Sequence, residues 1–382
     1  MAYVLCALFG FSYLFLIKRY INRWKSIPEF SDYGDLPVNP FLSIIVTARN
    51  EEKNLFRCLS SILKLNYPID KFEIIIVDDH SSDKTAEIAN AFKYEFQQFH
   101  LISLKDGNKN DPLISPKRRA LEAGILISKG EIILLTDADC EVPDQWARSI
   151  STLFIKKNIV FVGGPVLIDM EIQNILSIFQ ALDMIGMMII TGAGYYNGNQ
   201  LLANGANMAF SKKAFLETGG FSNFPAKASG DDMFLLHKLN DKYPGSIQFL
   251  KTLKGAVKTR PTETLGAFIQ QRIRWASKNR NYKNQNISIS LLLIFLLSSL
   301  IIFLLILSFI NFKLFFPFFI VLYLSKFLGD YLLQKEAISY FKEKKLSNYI
   351  FICQNIHTLY IFFIGIAGNI LPRYQWKGRI VK

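Results

Sequence analysis

Two carboxylates stand two residues apart in Thr136-Asp137-Ala138-Asp139-Cys140, directly after an apolar run. In an extended segment residues i and i+2 project to the same side, so Asp137 and Asp139 can face one point. Two anions that close repel unless a cation or a proton intervenes. Hard carboxylate oxygens suit Mg²⁺ or Mn²⁺, held partly by protein and partly by a diphosphate. The bland alternative is a polar turn. A second acidic cluster, Asp78-Asp79-His80-Ser81-Ser82-Asp83, also closes an apolar run. Ser82 or Asp83 there can cap a helix, but capping does not account for two acids at the end of the run. A carboxylate in that position can accept from a base N–H or from ribose hydroxyls. His80 is given no role.

Two later groups also carry chemistry. Asp231 and Asp232 precede an apolar helical run, Met233–Leu239. One of them suffices as a cap; the other is then available as a base, its pKa open to a push from its like-charged neighbour. Gln271, Arg274 and Trp275 fall within about one helical turn and so share a face. There Arg274 can stabilise a departing diphosphate and Trp275 can stack on a sugar ring. The alternative is an amphipathic helix on a membrane surface, with Arg272, Lys278, Arg280 and Lys283 reaching headgroups.

The elements that must position these residues are legible as alternating patterns. Leu42–Thr47, Phe72–Val77, His100–Leu104 and Glu131–Thr136 read as strands. Helices are expected over Asn54–Leu65, Asp83–Phe96 and Pro116–Ser128. Strands alternating with helices at this spacing imply an α/β fold with a doubly wound, mostly parallel sheet. Nearly continuous apolar strands agree, because such sheets are buried on both faces. Ligands in this architecture bind beyond the carboxyl ends of the strands, where the polar motifs fall.

The chain has 382 residues, 51% of them hydrophobic and 20% charged. That excludes a disordered chain. Long apolar runs also exclude an ordinary soluble enzyme. Tyr3–Ile17 is a short anchor candidate followed by Lys18, Arg19, Arg23 and Lys25, a flank that favours the cytoplasmic side. Ile287–Ile310 is uncharged throughout. Leu314–Leu333 carries Lys326 and Asp330 four apart, either neutralising each other in a bundle or marking a helix that ends near Ser325. Ile350–Leu371 is weaker, and the basic tail after it (Arg373, Lys377, Arg379, Lys382) suits either a span or an interfacial helix. Met170–Thr191, with Glu171 and Asp183, reads as a helix packed near the membrane rather than a span. The expected organisation is an N-terminal anchor over 1–25, a catalytic domain over 40–285 and a membrane region over 287–382. Membrane contacts explain much of the net charge of +13, so nucleic acid is not an expected partner. Cys6, Cys58, Cys140 and Cys353 have neither disulfide nor metal spacing and read as reduced thiols.

Taken together, the motifs resemble those of membrane-anchored family 2 glycosyltransferases with the GT-A fold. The resemblance runs from about Leu42 to Trp275. It rests on Thr47-Ala48-Arg49-Asn50-Glu51-Glu52, the turn from Val77 to Asp83, Ser115 to Leu121, the Thr136-Asp137-Ala138-Asp139 motif, Gly205 to Phe210, Gly230-Asp231-Asp232 and Gln271 to Trp275. The resemblance implies that Thr47, Glu51 and Asp79 line a nucleotide, with Asp79 toward the uracil. It places Lys117 near the base or diphosphate, Asp137 and Asp139 on the metal, and Asn207 beside the donor sugar. Asp232 would be the general base, and Gln271, Arg274 and Trp275 match a Q-x-x-R-W motif. Two positions depart from the family pattern: Asp231 stands where Glu is commoner, and Pro116 where small residues are usual.

The expected function is an inverting, metal-dependent transfer of sugar from a nucleotide diphosphate sugar, UDP-linked by preference, to a lipid or lipid-linked acceptor. The protein would be integral to the membrane, with its catalytic domain cytoplasmic. A processive polysaccharide synthase is the enzymatic alternative, but two or three C-terminal spans leave little material for a polymer channel. A nucleotide-sugar-binding regulator is the non-enzymatic one, and would need no base.

Overall fold

The computed structural model describes residues 2–30, 38–104, 115–171, 173–196, 198, 200–222, 230–276, 285–370, 374–376 and 379–381. The expected headgroup contacts Lys278, Arg280 and Lys283, and the tail residues Arg373, Lys377 and Lys382, lie outside these. The chain divides into two compact units. One comprises residues 28–169, 201–260 and 377–382; the other comprises 1–27, 170–200 and 261–376.

The first unit is built on a seven-stranded sheet. Its first four strands in sequence are β1 (Leu42–Ala48), β2 (Phe72–Asp78), β3 (Phe99–Ser103) and β4 (Ile132–Asp137). After β5 (Cys140–Glu141) come β6 (Phe161–Gly163), β7 (Val166–Ile168), β8 (Met208–Ser211), β9 (Ile247–Phe249) and β10 (Val257–Thr259). The large sheet runs in the order β3-β2-β1-β4-β8-β6-β9, and a small one runs β5-β10-β7. β1 lies parallel between β2 and β4, while β8 is antiparallel to both β4 and β6. Every residue of β2 is buried, and so are six of the seven in β1. This is why these strands read as nearly continuous apolar runs.

Helices α2 (Leu55–Leu63), α3 (Thr85–Ala91) and α4 (Pro116–Ile127) follow β1, β2 and β3, and α5 (Trp146–Lys157) follows β5. α7 (Lys212–Glu217) and α8 (Asp231–Lys242) follow β8. α3 is shorter than the expected Asp83–Phe96. It gives way to a single 3-10 turn at Phe92, whose ring packs on Phe99 and Phe56. Pro116 has a local explanation. It is the first residue of α4, behind the N-cap Ser115, whose hydroxyl accepts from the Arg118 N–H at 3.0 Å. The first turn needs no amide hydrogen from Pro116, and the fixed φ of proline suits that position.

The second unit is helical. It contains α1 (Ala2–Ser26), α6 (Ile175–Tyr195), α9 (Leu265–Ala276), α10 (Gln285–Ile310), α11 (Phe312–Phe341) and α12 (Ile350–Ile370). Among the described residues, four helices are long and apolar enough to cross a membrane: α6, α10, α11 and the helical segment ending in α12. α11 does not end near Ser325. It continues through Lys326 and Asp330, which pair at 2.5 Å. α1 packs closely on α11, where a Cβ on Gly10 would meet Ser325 Oγ at 2.5 Å and one on Gly329 would meet Tyr13 at 2.7 Å. Small residues at such crossings let helix backbones approach within an apolar medium. α6 meets the length and composition of a span, yet 72% of its apolar window is covered by protein. Of the basic residues after the first apolar run, Arg23 is buried and donates to Gln200 Oε1 at 3.3 Å, and Lys25 pairs with Glu336 at 3.1 Å.

Candidate active site

Sheet register brings three of the sequence motifs to one edge of the first unit. Thr47 stands level with Val77 on β2 and with Asp137 on β4, and Ala48 stands level with Asp78. The carboxyl ends of three adjacent parallel strands therefore carry Thr47, Asp78-Asp79 and Asp137. The two turns that follow β1 and β2 are knitted together. Asp79 N–H donates to Ala48 O at 2.8 Å and Arg49 donates to Asp79 O at 2.7 Å. Asn50 and His80 both adopt left-handed backbone, with φ of 52° and 57°. Asn50 N–H donates to Ser81 Oγ, while its side-chain oxygen accepts from Ser82 N–H at 2.9 Å. Glu51 N–H donates to Thr85 Oγ1 at 2.7 Å, and Glu52 and Asp83 exchange further backbone contacts with each other's turns. Asp83 therefore braces the first turn while accepting from Thr85 N–H at 3.0 Å; the N-cap of α3 is Lys84, not Ser82 or Asp83 as the sequence suggested.

Within this frame the expected nucleotide residues differ in exposure. Thr47 is half-buried, while Glu51 is 5% and Asp79 4% exposed. Glu51 accepts from Asn54 Nδ2 at 2.9 Å, and Asp79 Oδ1 lies 3.0 Å from His80 Nδ1. Asp137 is a third exposed, and the Lys117 ammonium lies 2.5 Å from its Oδ1. Lys117 reaches there past Gly205, where a Cβ would come within 3.3 Å of Nζ. Asp139 is half-buried and accepts from Cys140 Sγ at 3.4 Å, and Cys58 Sγ donates to Asp137 O at 3.7 Å. Burial pushes both thiols up, and the carboxylates of Asp139 and Asp137 push them further. Both stay protonated donors behind the acidic pair.

The donor set of this pair fits a hard divalent cation. It offers two carboxylates, one of which already holds an ammonium against its oxygen. Among the described residues no three His, Cys, Asp or Glu side chains gather as a metal cage. Two carboxylates completed by phosphate and water is the manner in which Mg²⁺ is commonly bound.

The adjacent acids Asp231 and Asp232 are separated sharply by tertiary structure. Asp231 is buried, pairs with Arg118 at 2.7 Å and accepts from Ser115 Oγ at 2.8 Å. Burial raises its carboxyl above the ordinary range, against Arg118 and Ser115, which pull it back. Asp232 is half-buried, and its Oδ1 accepts from the Met233 N–H at 2.9 Å. Neither acid is the N-cap; that position belongs to Gly230, at φ 112°, and both acids sit in the first turn of α8. The capping interpretation of the sequence is corrected accordingly. Sequence reasoning also missed Arg118, because nothing local announces a partner more than a hundred residues away.

Arg118→Met should destabilise the protein by about 3–5 kcal/mol, since it strands a buried carboxylate. The effect should depend on pH. A carboxyl with a raised folded pKa contributes stability that is fully present below its unfolded value and lost as the pH rises through the folded one. Without Arg118, burial acts on Asp231 opposed only by the Ser115 hydroxyl. The gap in melting temperature to wild type should therefore be wider at pH 8 than at pH 4. An equal gap would show that Asp231 carries no charge in the fold.

Asn207 is 1% exposed. Its amide donates to Pro165 O and Gly255 O, both at 2.8 Å, and accepts from Trp146 Nε1 at 2.9 Å. Both amide hydrogens are thus engaged by the protein, and the residue ties β8 to α5 and to the chain beside β7 and β10. Gly164 lies against it so tightly that a Cβ would meet Asn207 Nδ2 at 2.4 Å. Gln271, Arg274 and Trp275 all lie on α9, in the helical unit, each half-buried.

A mostly parallel α/β sheet with paired acids beyond β4 is the architecture of GT-A glycosyltransferases. The family model "Glycosyl transferase family 2" matches residues 43–217, and "Glycosyl transferase family group 2" matches 132–331. The chain belongs to family 2 of the glycosyltransferases. It is 25% identical over 280 residues to a probable glycosyltransferase, YdaM, of Bacillus subtilis, covering 71% of this chain and 61% of that one. It is 28% identical over 244 residues to a beta-monoglucosyldiacylglycerol synthase of Trichormus variabilis, covering 62% and 48%. The chain thus spans only about half to three-fifths of the length of these curated relatives. In fold it is similar to the mannosyltransferase PcManGT of Pyrobaculum calidifontis, solved in complex with GDP-Man and Mn²⁺. The TM-score is 0.56 at 16% identity, covering 97% of this chain and 98% of that one.

Proposed function

We propose that this glycosyltransferase moves a sugar from a nucleotide diphosphate sugar to a lipid or lipid-linked acceptor, with inversion, on the cytoplasmic side of a membrane. The observation that carries the reading is the alignment of Thr47, Asp79 and Asp137 on three adjacent parallel strand ends, with Lys117 on Asp137. Thr47, Glu51 and Asp79 bind the nucleoside, UDP-linked donors being the first candidates. Lys117 binds the diphosphate, exchanging its contact with Asp137 for one with phosphate oxygens. Asp137 and Asp139 are the residues that would hold Mg²⁺ or Mn²⁺. The ion would supply positive charge against the leaving diphosphate. Asn207 supports the donor-sugar side as a scaffold rather than by direct contact, because both its amide hydrogens are engaged.

Asp232 takes the proton of the acceptor hydroxyl as that oxygen attacks the anomeric carbon. The bond from that carbon to the diphosphate oxygen breaks, its electron pair leaves with the nucleotide, and one attack inverts the centre. Asp231, held by Arg118 and Ser115, sets the start of α8 and so places Asp232. Gln271, Arg274 and Trp275 act on the diphosphate and the sugar as the resemblance implies. In this reading residues 40–285 perform the transfer, while 1–25 and 287–382 hold the protein in the bilayer. The relative named as a diacylglycerol glucosyltransferring synthase supports a lipid acceptor, and the GDP-Man and Mn²⁺ of the structural neighbour support a metal-bound nucleotide sugar. Polymer synthesis is the second reading.

Donor class, acceptor and orientation can be tested together. Sealed inverted and right-side-out vesicles containing the protein are incubated with radiolabelled UDP- and GDP-sugars, then extracted into lipid and polymer fractions. Label should enter the lipid fraction from inverted vesicles, and from right-side-out ones only after permeabilisation. Label in polymer would favour the synthase, and transfer by intact right-side-out vesicles would reverse the orientation. Thiol labelling at Cys58 or Cys140 cannot report orientation, because they are 0% and 1% exposed.

A further inference from the structure

A chain of buried and half-buried ionisable groups runs through the helical unit, and the transfer chemistry above uses none of them. Tyr13 on α1 donates to Asp330 Oδ1 on α11. Lys326 donates to Asp330 Oδ2 at 2.5 Å, and its ammonium lies 3.3 Å from His357 Nδ1 on α12. His357 Nε2 is 3.9 Å from Asp183 on α6, and Asp183 pairs with Arg272 on α9 at 2.8 Å. Five helices are joined, with two cations balanced by two anions. The Arg272 side chain is 1% exposed and that of Lys326 2%. Charges this deeply placed among apolar helices are costly, and where they occur they commonly mark function.

The end of this chain falls inside the Q-x-x-R-W segment. Arg272 occupies one of its intervening positions, to which the resemblance assigns no role. Its guanidinium lies 4.3 Å from the ring centroid of Trp275 and 4.8 Å from that of Phe268. Phe268 also packs against Phe179 and Tyr360, so α6, α9 and α12 share one aromatic cluster around the guanidinium. α9 is gripped at both ends. Gln180 accepts from the Thr262 N–H at 2.9 Å and donates to Thr262 O at 3.1 Å, and Gly368 approaches Ala276 so closely that a Cβ there would be 2.6 Å away.

We propose that Arg272 is a positioning residue for Trp275: anchored by Asp183, its guanidinium covers one face of the indole and fixes its orientation, so that the opposite face meets the sugar. The planar, delocalised cation is suited to stacking while it pairs with a carboxylate, and an ammonium is not. A misplacement of about 1 Å in such a group can lower turnover about a hundredfold. The proposal rests on the role read above for Trp275.

The test uses full-length protein in detergent, labelled with 5-fluorotryptophan. The chain has four tryptophans, and Trp275→Phe identifies the resonance of interest. Arg272→Lys keeps the charge pair with Asp183. It should leave the melting temperature near wild type, shift the Trp275 resonance alone, and lower kcat about tenfold to a hundredfold with nucleotide affinity unchanged. Asp183→Asn/Arg272→Gln removes both charges together, so no unpaired ion remains. It should recover stability relative to Asp183→Asn but not the Trp275 resonance or the turnover. An unshifted resonance in both variants, or a shifted one with wild-type kcat, would overturn the proposal. If the wild-type protein transferred no sugar from any donor, the functional reading would fail separately, and the fluorine shifts would still decide whether Arg272 orients Trp275.

Discussion

Asp232→Asn should lower sugar transfer about 10²–10⁴-fold, the usual worth of general-base help, while nucleotide affinity stays near wild type. The amide keeps the size of the side chain and can still accept from the Met233 N–H, so α8 should form normally. The neighbouring acid makes the test sharper. Asp231 is buried against Arg118 and Ser115, so Asp231→Asn should act on folding before it acts on chemistry. The measurement is paired on one preparation: calorimetry for the nucleotide and a product assay for transfer. Retained transfer in Asp232→Asn would remove it as the base. Joint loss of transfer and affinity would make the residue a structural element of the helix start.

The second large effect concerns the acidic pair beyond β4. Asp139→Asn, or chelation of the wild-type protein, should reduce transfer by about three orders of magnitude, because charge stabilisation of several kcal/mol is withdrawn. Unlike Asp232→Asn, it should also weaken nucleotide diphosphate binding if the pair holds the diphosphate as proposed. Asp137 is a third exposed and Asp139 half-buried, so Asn at either position should leave the fold intact. Restoring activity by Mn²⁺ or Mg²⁺ after chelation of the wild type, but not of Asp139→Asn, is the expected pattern. Full turnover after rigorous chelation would sink the metal assignment, and the Lys117–Asp137 contact would then be the whole of the phosphate site.

These two experiments separate residues that the sequence places side by side, and that contrast shows where sequence reasoning reaches its limit. Strand placement was legible because it is a local property. Leu42–Ala48, Phe72–Asp78 and Ile132–Asp137 are buried on both faces, so each is written as a nearly continuous apolar run ending in polar chemistry. The four-residue spacing of Lys326 and Asp330 and the helix start at Pro116 likewise follow from local rules, whereas the period-two argument does not extend to Asp139, because β4 ends at Asp137 and Ala138 and Asp139 form a turn. Tertiary structure alone decided which of Asp231 and Asp232 is consumed, because Arg118 lies on a helix 113 residues earlier. The same holds for Asn207, whose partners come from Trp146, Pro165 and Gly255. It holds also for α6 and α9, which lie inside the expected 40–285 range yet group with the long apolar helices. Asp183 and Arg272 read singly as charges interrupting apolar helices. Their pairing depends on helix packing, and no pattern within either segment encodes a partner on another helix.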